Sequence, residues 1–97
     1  MAYTLVYHPD VRKKDIPALN RNISERISRA IETRLTTDPQ RYGEPLRRTL
    51  KGYWKLRVGD YRVVFKVVKN EVWIFGIINR REVYERIATR LVRQGPF

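Results

Sequence analysis

Four cations in one short stretch set the chemical question. In KLRVGDYRVVFK, residues 55–66, Gly59-Asp60 is a two-residue turn signal between alternating runs. Read as a hairpin, it sets Val58 opposite Tyr61, Arg57 opposite Arg62 and Lys55 opposite Val64. Lys55, Arg57, Arg62 and Lys66 then share one face. Like charges facing each other across a strand pair are unfavourable by up to about 1 kcal/mol, and an arriving polyanion relieves that repulsion. The pattern predicts a phosphate-binding face, with Lys51, Tyr53, Arg57 and Lys66 as its RNA-binding residues. Trp73, Phe75 and Tyr53 either offer surfaces on which unpaired bases stack or, for Trp73 and Phe75, belong to the core.

Most catalytic devices are absent from the chain. It has no cysteine and a single histidine, His8, which beside Pro9 reads as a surface or capping group rather than a base. A two-metal nuclease needs convergent carboxylates, and the basic region supplies only Asp60 in a turn and Glu71 at a hairpin end. No metal and no cofactor are expected. What remains is cleavage of a phosphodiester by cations. In RNA the 2′-hydroxyl is the nucleophile, so the protein must align it, remove its proton and assist the leaving 5′-oxygen. Neighbouring positive charge favours the neutral form of a lysine, which suits Lys55 as general base. Arginines hold the charge of the pentacoordinate phosphate, and Tyr84 or another acid protonates the leaving oxygen.

These groups must be positioned by a small fold. Ninety-seven residues predict a single domain, 1–97, that buries about 60–70% of the surface its unfolded chain exposes. Lys and Arg number 21 against 10 Asp and Glu, a formal charge of +11. Residues 46–81 carry ten of those cations against Asp60 and Glu71, so the charge is concentrated and points to a nucleic acid or an acidic protein as partner. The N-terminus has no long apolar run and no small-residue cleavage site, and no segment approaches a membrane span. A soluble, cytoplasmic protein is expected.

Tyr3–Tyr7 reads as a first strand and Val11 to about Lys14 as a short helix after Pro9. Ile23, Ile27, Ile31 and Leu35 recur every fourth residue, predicting an amphipathic helix with Asn22 and Glu25 as its capping box. Residues 38–52 read as a loop with a short extended piece at Leu46–Leu50. A meander follows, with strands Tyr53–Val58, Tyr61–Val68 and Glu71–Ile78 joined by Gly59-Asp60 and Lys69-Asn70, where Asn is expected to take the left-handed conformation. A last helix begins near Asn79, with Val83, Ile87 and Leu91 as its apolar stripe. Alternation assigns Trp54, Leu56, Val58, Val63, Phe65, Val72, Ile74 and Ile78 to a face under the helices, and Lys55, Arg57, Arg62, Lys66, Trp73, Phe75 and Ile77 to the other. The fold class is α+β: a small antiparallel sheet of about four strands, two N-terminal helices on one face, and a C-terminal helix.

LKGYWKLRVGDYRVVFKV followed by VWIFGIINRREVYERI, with the opening YTLVYHPDVRKKD and the central helix ending in DPQRYG, resembles the RelE/ParE toxin superfamily, and specifically RelE-type mRNA interferases. The likeness covers nearly the whole chain. It implies a type II toxin-antitoxin toxin that enters the ribosomal A site and cuts mRNA there, inhibiting translation. It also implies a cognate antitoxin that wraps the toxin and through which the complex binds operator DNA. Carried over by motif, the lysine of KLR is Lys55, the arginine after GDY is Arg62, the tyrosine of EVY is Tyr84, and the remaining family arginine is Arg80 or Arg81. Some members carry a second lysine two residues before the first, where this chain has Tyr53, with Lys51 and Arg57 as substitutes. The alternative is a ParE-like gyrase inhibitor that shares the fold and cuts no RNA.

Overall fold

The computed structural model describes residues 2–47 and 50–94. Its single sheet has five strands: β1 (Thr4–Tyr7), β2 (Glu44–Pro45), β3 (Trp54–Val58), β4 (Tyr61–Val68) and β5 (Glu71–Asn79), in spatial order β1-β5-β4-β3-β2. The meander β3–β4–β5 forms with Arg57 opposite Arg62 and Lys55 opposite Val64, as the Gly59 turn dictates. Gly59 has φ of 59°, which only glycine adopts without strain. At the second turn the left-handed residue is Lys69, φ 56°, and not Asn70.

The sheet exceeds the expected four strands by one, the short edge strand β2, and it is not antiparallel throughout. β1 lies parallel to β5, Thr4 opposite Glu71 through Tyr7 opposite Ile74, which is possible because the intervening helices cross one face and return the chain. β2 pairs with β3 at Glu44–Pro45 rather than at Leu46–Leu50; Leu46 and Leu50 turn inward and are buried.

Helix α1 (Arg21–Ala30) runs on as a wider coil through Ile31–Leu35. Its cap is Asn20, whose side-chain oxygen accepts from the Ile23 amide at 2.9 Å, two residues before the predicted Asn22. Asn20 holds the extended backbone that a cap needs, while Asn22 is already helical. Hydroxyls of Thr33, Thr36 and Thr37 donate back to the carbonyls of Arg29, Glu32 and Thr33, a competition with the helical ladder that accompanies widened turns. Short helical turns at Val11–Asp15 and Ile16–Ala18 precede α1, and α2 (Pro39–Tyr42) follows it. The last helix, α3 (Val83–Gln94), starts later than expected. β5 runs through Asn79, whose side chain accepts from the Arg81 amide at 3.0 Å and turns the chain.

A bulge decides the two faces. Val64 pairs with Gly76 and Phe65 with Ile74, leaving Phe75 as the extra residue of β5. Beyond it the alternation is inverted, so Ile77 packs with Val63 and Leu56 under α1 while Ile78 packs under α3. This is the reverse of the sequence expectation, because strict period-two counting slips by one at an inserted residue. The first core joins Val11, Ile27, Ile31 and Leu35 to Leu56, Phe65 and Ile74. The second joins Leu46, Leu50, Val64, Phe75 and Ile78 to Val83 and Ile87 of α3. Among the described residues, no helix is long and apolar enough to cross a membrane.

Candidate functional site

The second face is therefore half closed. Phe75 is fully buried and cannot serve as a stacking surface for bases. Trp73 is half-buried, with its indole N–H donating to Glu71 at 3.0 Å. Tyr53 sits edge-on against Phe75, ring centroids 5.2 Å apart, with the Lys66 ammonium 5.3 Å from its own ring. What stays open is a cationic strip along the rim of the second core.

Within the strip the structure brings together two groups of residues. In one, Lys55 Nζ lies 3.4 Å from the Tyr84 hydroxyl. Arg47 stacks its guanidinium 4.7 Å from the centroid of the Tyr84 ring. In the other, Arg62 donates to the carbonyls of Gly59 at 3.0 Å and Tyr61 at 2.9 Å, so turn dipoles offset part of its repulsion from Arg57. Burial, followed by the positive charges of Arg57 and Arg80, holds the Arg62 guanidinium below its ordinary pKa. Both causes disfavour an uncompensated cation, and an anion beside it would offset them.

The two candidate arginines after β5 differ. Arg80 is tied to the β3–β4 turn, its amide donating to the Asp60 carbonyl at 2.8 Å and its guanidinium 3.8 Å from the Asp60 carboxylate, and its charge acts on Arg62. Arg81 is exposed, and its amide serves the Asn79 turn. Lys51 is exposed beside Gly52, whose φ is 91°.

Two neighbours escaped the sequence reading. Arg47 belongs to a proline- and glycine-rich loop with no periodicity to place it over Tyr84. Glu44 faces Lys55 only through the two-residue pairing of β2, too short to leave a pattern.

Tyr84 is brought to Lys55 by a buried polar anchor. Arg90 of α3 meets Asp15 bidentately, Nη1 to Oδ2 at 2.8 Å and Nη2 to Oδ1 at 3.0 Å. Arg90 also donates to the Phe75 carbonyl at 2.9 Å, and Asp15 accepts from the Ile77 amide at 2.9 Å. The backbone groups released by the bulge are thus satisfied by the pair, as buried polar groups require. Gly76 makes room for this contact: a Cβ there would stand 2.9 Å from the Cδ1 atoms of Ile78 and Ile87. Asp10 adds a second carboxylate 3.6 Å from Arg90. The hydrogen bond to Asp15 raises the Arg90 pKa further. His8, expected at the surface, is buried; its Nδ1 accepts from the Asp10 amide at 3.1 Å, so the capping half of that expectation holds. Burial lowers its pKa.

A family model described as the ParE toxin of type II toxin-antitoxin system, parDE, matches residues 5–84. The toxin-antitoxin complex RelBE2 of Mycobacterium tuberculosis contains a chain similar to this one at 28% identity and a TM-score of 0.76, over 82% of this chain and 93% of that one. A mutant form of E. coli toxin RelE in the free state is similar at 17% identity and a TM-score of 0.73, over 97% and 98%. The RelB-RelE antitoxin-toxin complex of Methanococcus jannaschii is similar at 18% identity and 0.62, over 84% and 96%. No curated protein sequence is significantly similar.

Proposed function

We propose, because the chain belongs to the ParE toxin family of type II toxin-antitoxin systems, that this toxin is an endoribonuclease that cuts mRNA in the ribosomal A site. One observation carries the reading: Lys55 and Tyr84 meet within 3.4 Å beside a crowded set of arginines. Lys55 takes the proton of the 2′-hydroxyl, or stabilises charge. The 2′-oxygen attacks the adjacent phosphorus, and the P–O5′ bond breaks. Arg62 and Arg80 hold the charge that develops on the phosphate oxygens. Tyr84 donates its proton to the leaving 5′-oxygen, leaving a 2′,3′-cyclic phosphate and a free 5′-hydroxyl. Arg47 and Lys55 flank the tyrosine, and Arg57 and Lys66 bind flanking phosphates. Arg80 is the better choice over Arg81 because its charge reaches Arg62.

The RelBE2 and RelB-RelE structures are complexes with antitoxins, which supports a cognate antitoxin for this chain. A surface of +11 favours an acidic segment as its contact.

The family model's ParE description favours a second reading, inhibition of DNA gyrase without RNA cleavage. A translation extract with primer-extension readout separates them. Under the first reading the wild-type protein produces mRNA ends at A-site codons, and Arg62→Ala or Lys55→Ala loses roughly two to four decades in rate. Intact mRNA together with loss of supercoiling would establish the second. Cleavage that survives both substitutions would remove the assigned roles.

A further inference from the structure

A second set of cations lies around the edge of β3 from the strip. Arg26, Arg29, Thr33 and Arg34 project from one side of α1 and its continuation, and with Arg57 and Gly59 they line an open groove of about 290 Å³. The spacing of three and four residues keeps Arg26, Arg29 and Thr33 on one helical face, with Arg34 beside them. Arg26 reaches the turn itself, since a Cβ on Gly59 would lie 3.3 Å from its Nη1. β2 covers β3 only at Trp54 and Lys55, so the rim from Leu56 to Val58 has no strand beside it. The carboxylate at the turn, Asp60, is paired with Arg80. Among the described residues, no carboxylate lies within salt-bridge distance of Arg26, Arg29, Arg34 or Arg57.

The geometry points to this groove as a phosphate-binding channel for the stretch of RNA adjoining the one cut on the cationic strip, an inference that rests on the RNA-cleavage reading. Arg57 joins the two regions. By register its side chain springs from the strip's face of β3, opposite Arg62, and the same residue lines the groove. An RNA backbone crossing the sheet edge at Arg57 would pass from one set of guanidiniums to the next. Guanidinium forks match phosphate oxygens in pairs. An acidic peptide is a poorer fit, because peptide docking relies on apolar anchors and the apolar residues at the groove floor, Ala30 and Val58, are only 8% and 6% exposed.

The test uses 2′-O-methyl RNA, which the proposed reaction cannot cut, in fluorescence anisotropy titrations over a range of salt. One oligonucleotide of about three nucleotides spans the strip alone and another of about twelve reaches the groove. In Arg26→Gln/Arg29→Gln, two exposed helix positions exchanged for a residue of similar helix propensity, the log–log salt slope for the long RNA should fall by about 1.4, at about 0.7 for each phosphate no longer neutralised. The short RNA should bind as in the wild type, which also reports an intact fold. An unchanged slope for the long RNA would overturn the groove while sparing the strip. An unchanged slope combined with weaker binding of a glutamate-rich peptide would reassign it to a protein partner. If neither RNA binds the wild-type protein, the RNA-cleavage reading fails with it.

Discussion

The two faces of the sheet are closed by different physics. Under α1 the contact is apolar throughout, with Ile27, Ile31 and Leu35 set on Leu56, Phe65 and Ile74. Under α3 an apolar patch around Val83 and Ile87 is joined to a buried guanidinium–carboxylate pair that also satisfies the bulge of β5. Apolar contacts stabilise without specifying an angle or a register. A bidentate pair tied to two backbone groups specifies both, and α3 is the helix that carries Tyr84 to Lys55. The directional anchor thus lies where the proposed chemistry needs a fixed side chain, and the non-directional one lies on the opposite face.

Removing one member of the pair should have the largest effect on stability. Arg90→Ala leaves the Phe75 carbonyl without its donor and the buried Asp15 carboxylate with only the Ile77 amide and the Arg86 guanidinium 3.9 Å away, and is expected to cost about 3 kcal/mol in urea unfolding. A double exchange of Asp15 and Arg90 to leucine sharpens the point. Buried ion pairs often tolerate apolar replacement, but here the Phe75 carbonyl and the Ile77 amide would each be left unsatisfied at about 1–3 kcal/mol. A double variant as stable as the wild type would show that the bulge does not depend on the pair.

On the apolar face, Leu35→Ala should cost about 2–5 kcal/mol and leave the Lys55–Tyr84 geometry intact. At a temperature where both variants remain folded, its cleavage rate should stay near wild type while that of Arg90→Lys, which keeps charge but loses the planar fork, falls. Equal losses in the two would erase the distinction between the faces.

A pH titration probes the same anchor more gently. Burial lowers the His8 pKa, Asp10 and Asp15 oppose that shift, and Arg90 and Lys14 add to it. The folded state therefore resists a proton that the unfolded chain accepts below about pH 6.5. Stability should be level above that value and fall as the pH drops through it toward the lower folded pKa. In His8→Gln the part of the fall that belongs to this group should vanish.

The smallest expected effect lies away from both faces. Lys69 occupies the left-handed region at φ 56°, which costs a non-glycine residue about 1–2 kcal/mol. Lys69→Gly should raise stability by about 0.5–1 kcal/mol once the greater freedom of glycine in the unfolded chain is subtracted.

Much of this fold was legible because it is local. Gly59-Asp60 fixes a hairpin, the hairpin fixes its register, and the register opposes Arg57 to Arg62, all within a few residues of chain. The four-residue period of Ile23, Ile27, Ile31 and Leu35 likewise announces α1, and the motifs around Lys55, Arg62 and Tyr84 announced the family.

Other features depend on partners far apart in sequence. Asp15 and Arg90 are 75 residues apart, and no pattern near either announces the other. The bulge at Phe75 leaves no mark in an unbroken apolar run, yet it exchanges the places of Ile77 and Ile78, and the packing of α3 buries a ring that composition offers to RNA. Arg47 reaches Tyr84 only after the chain has closed. Short-range sterics and alternation determined which strands form and which cations align. Only the packing of α3 decided which of those groups stand beside Tyr84, because a side chain's environment is set by whatever the rest of the chain brings against it.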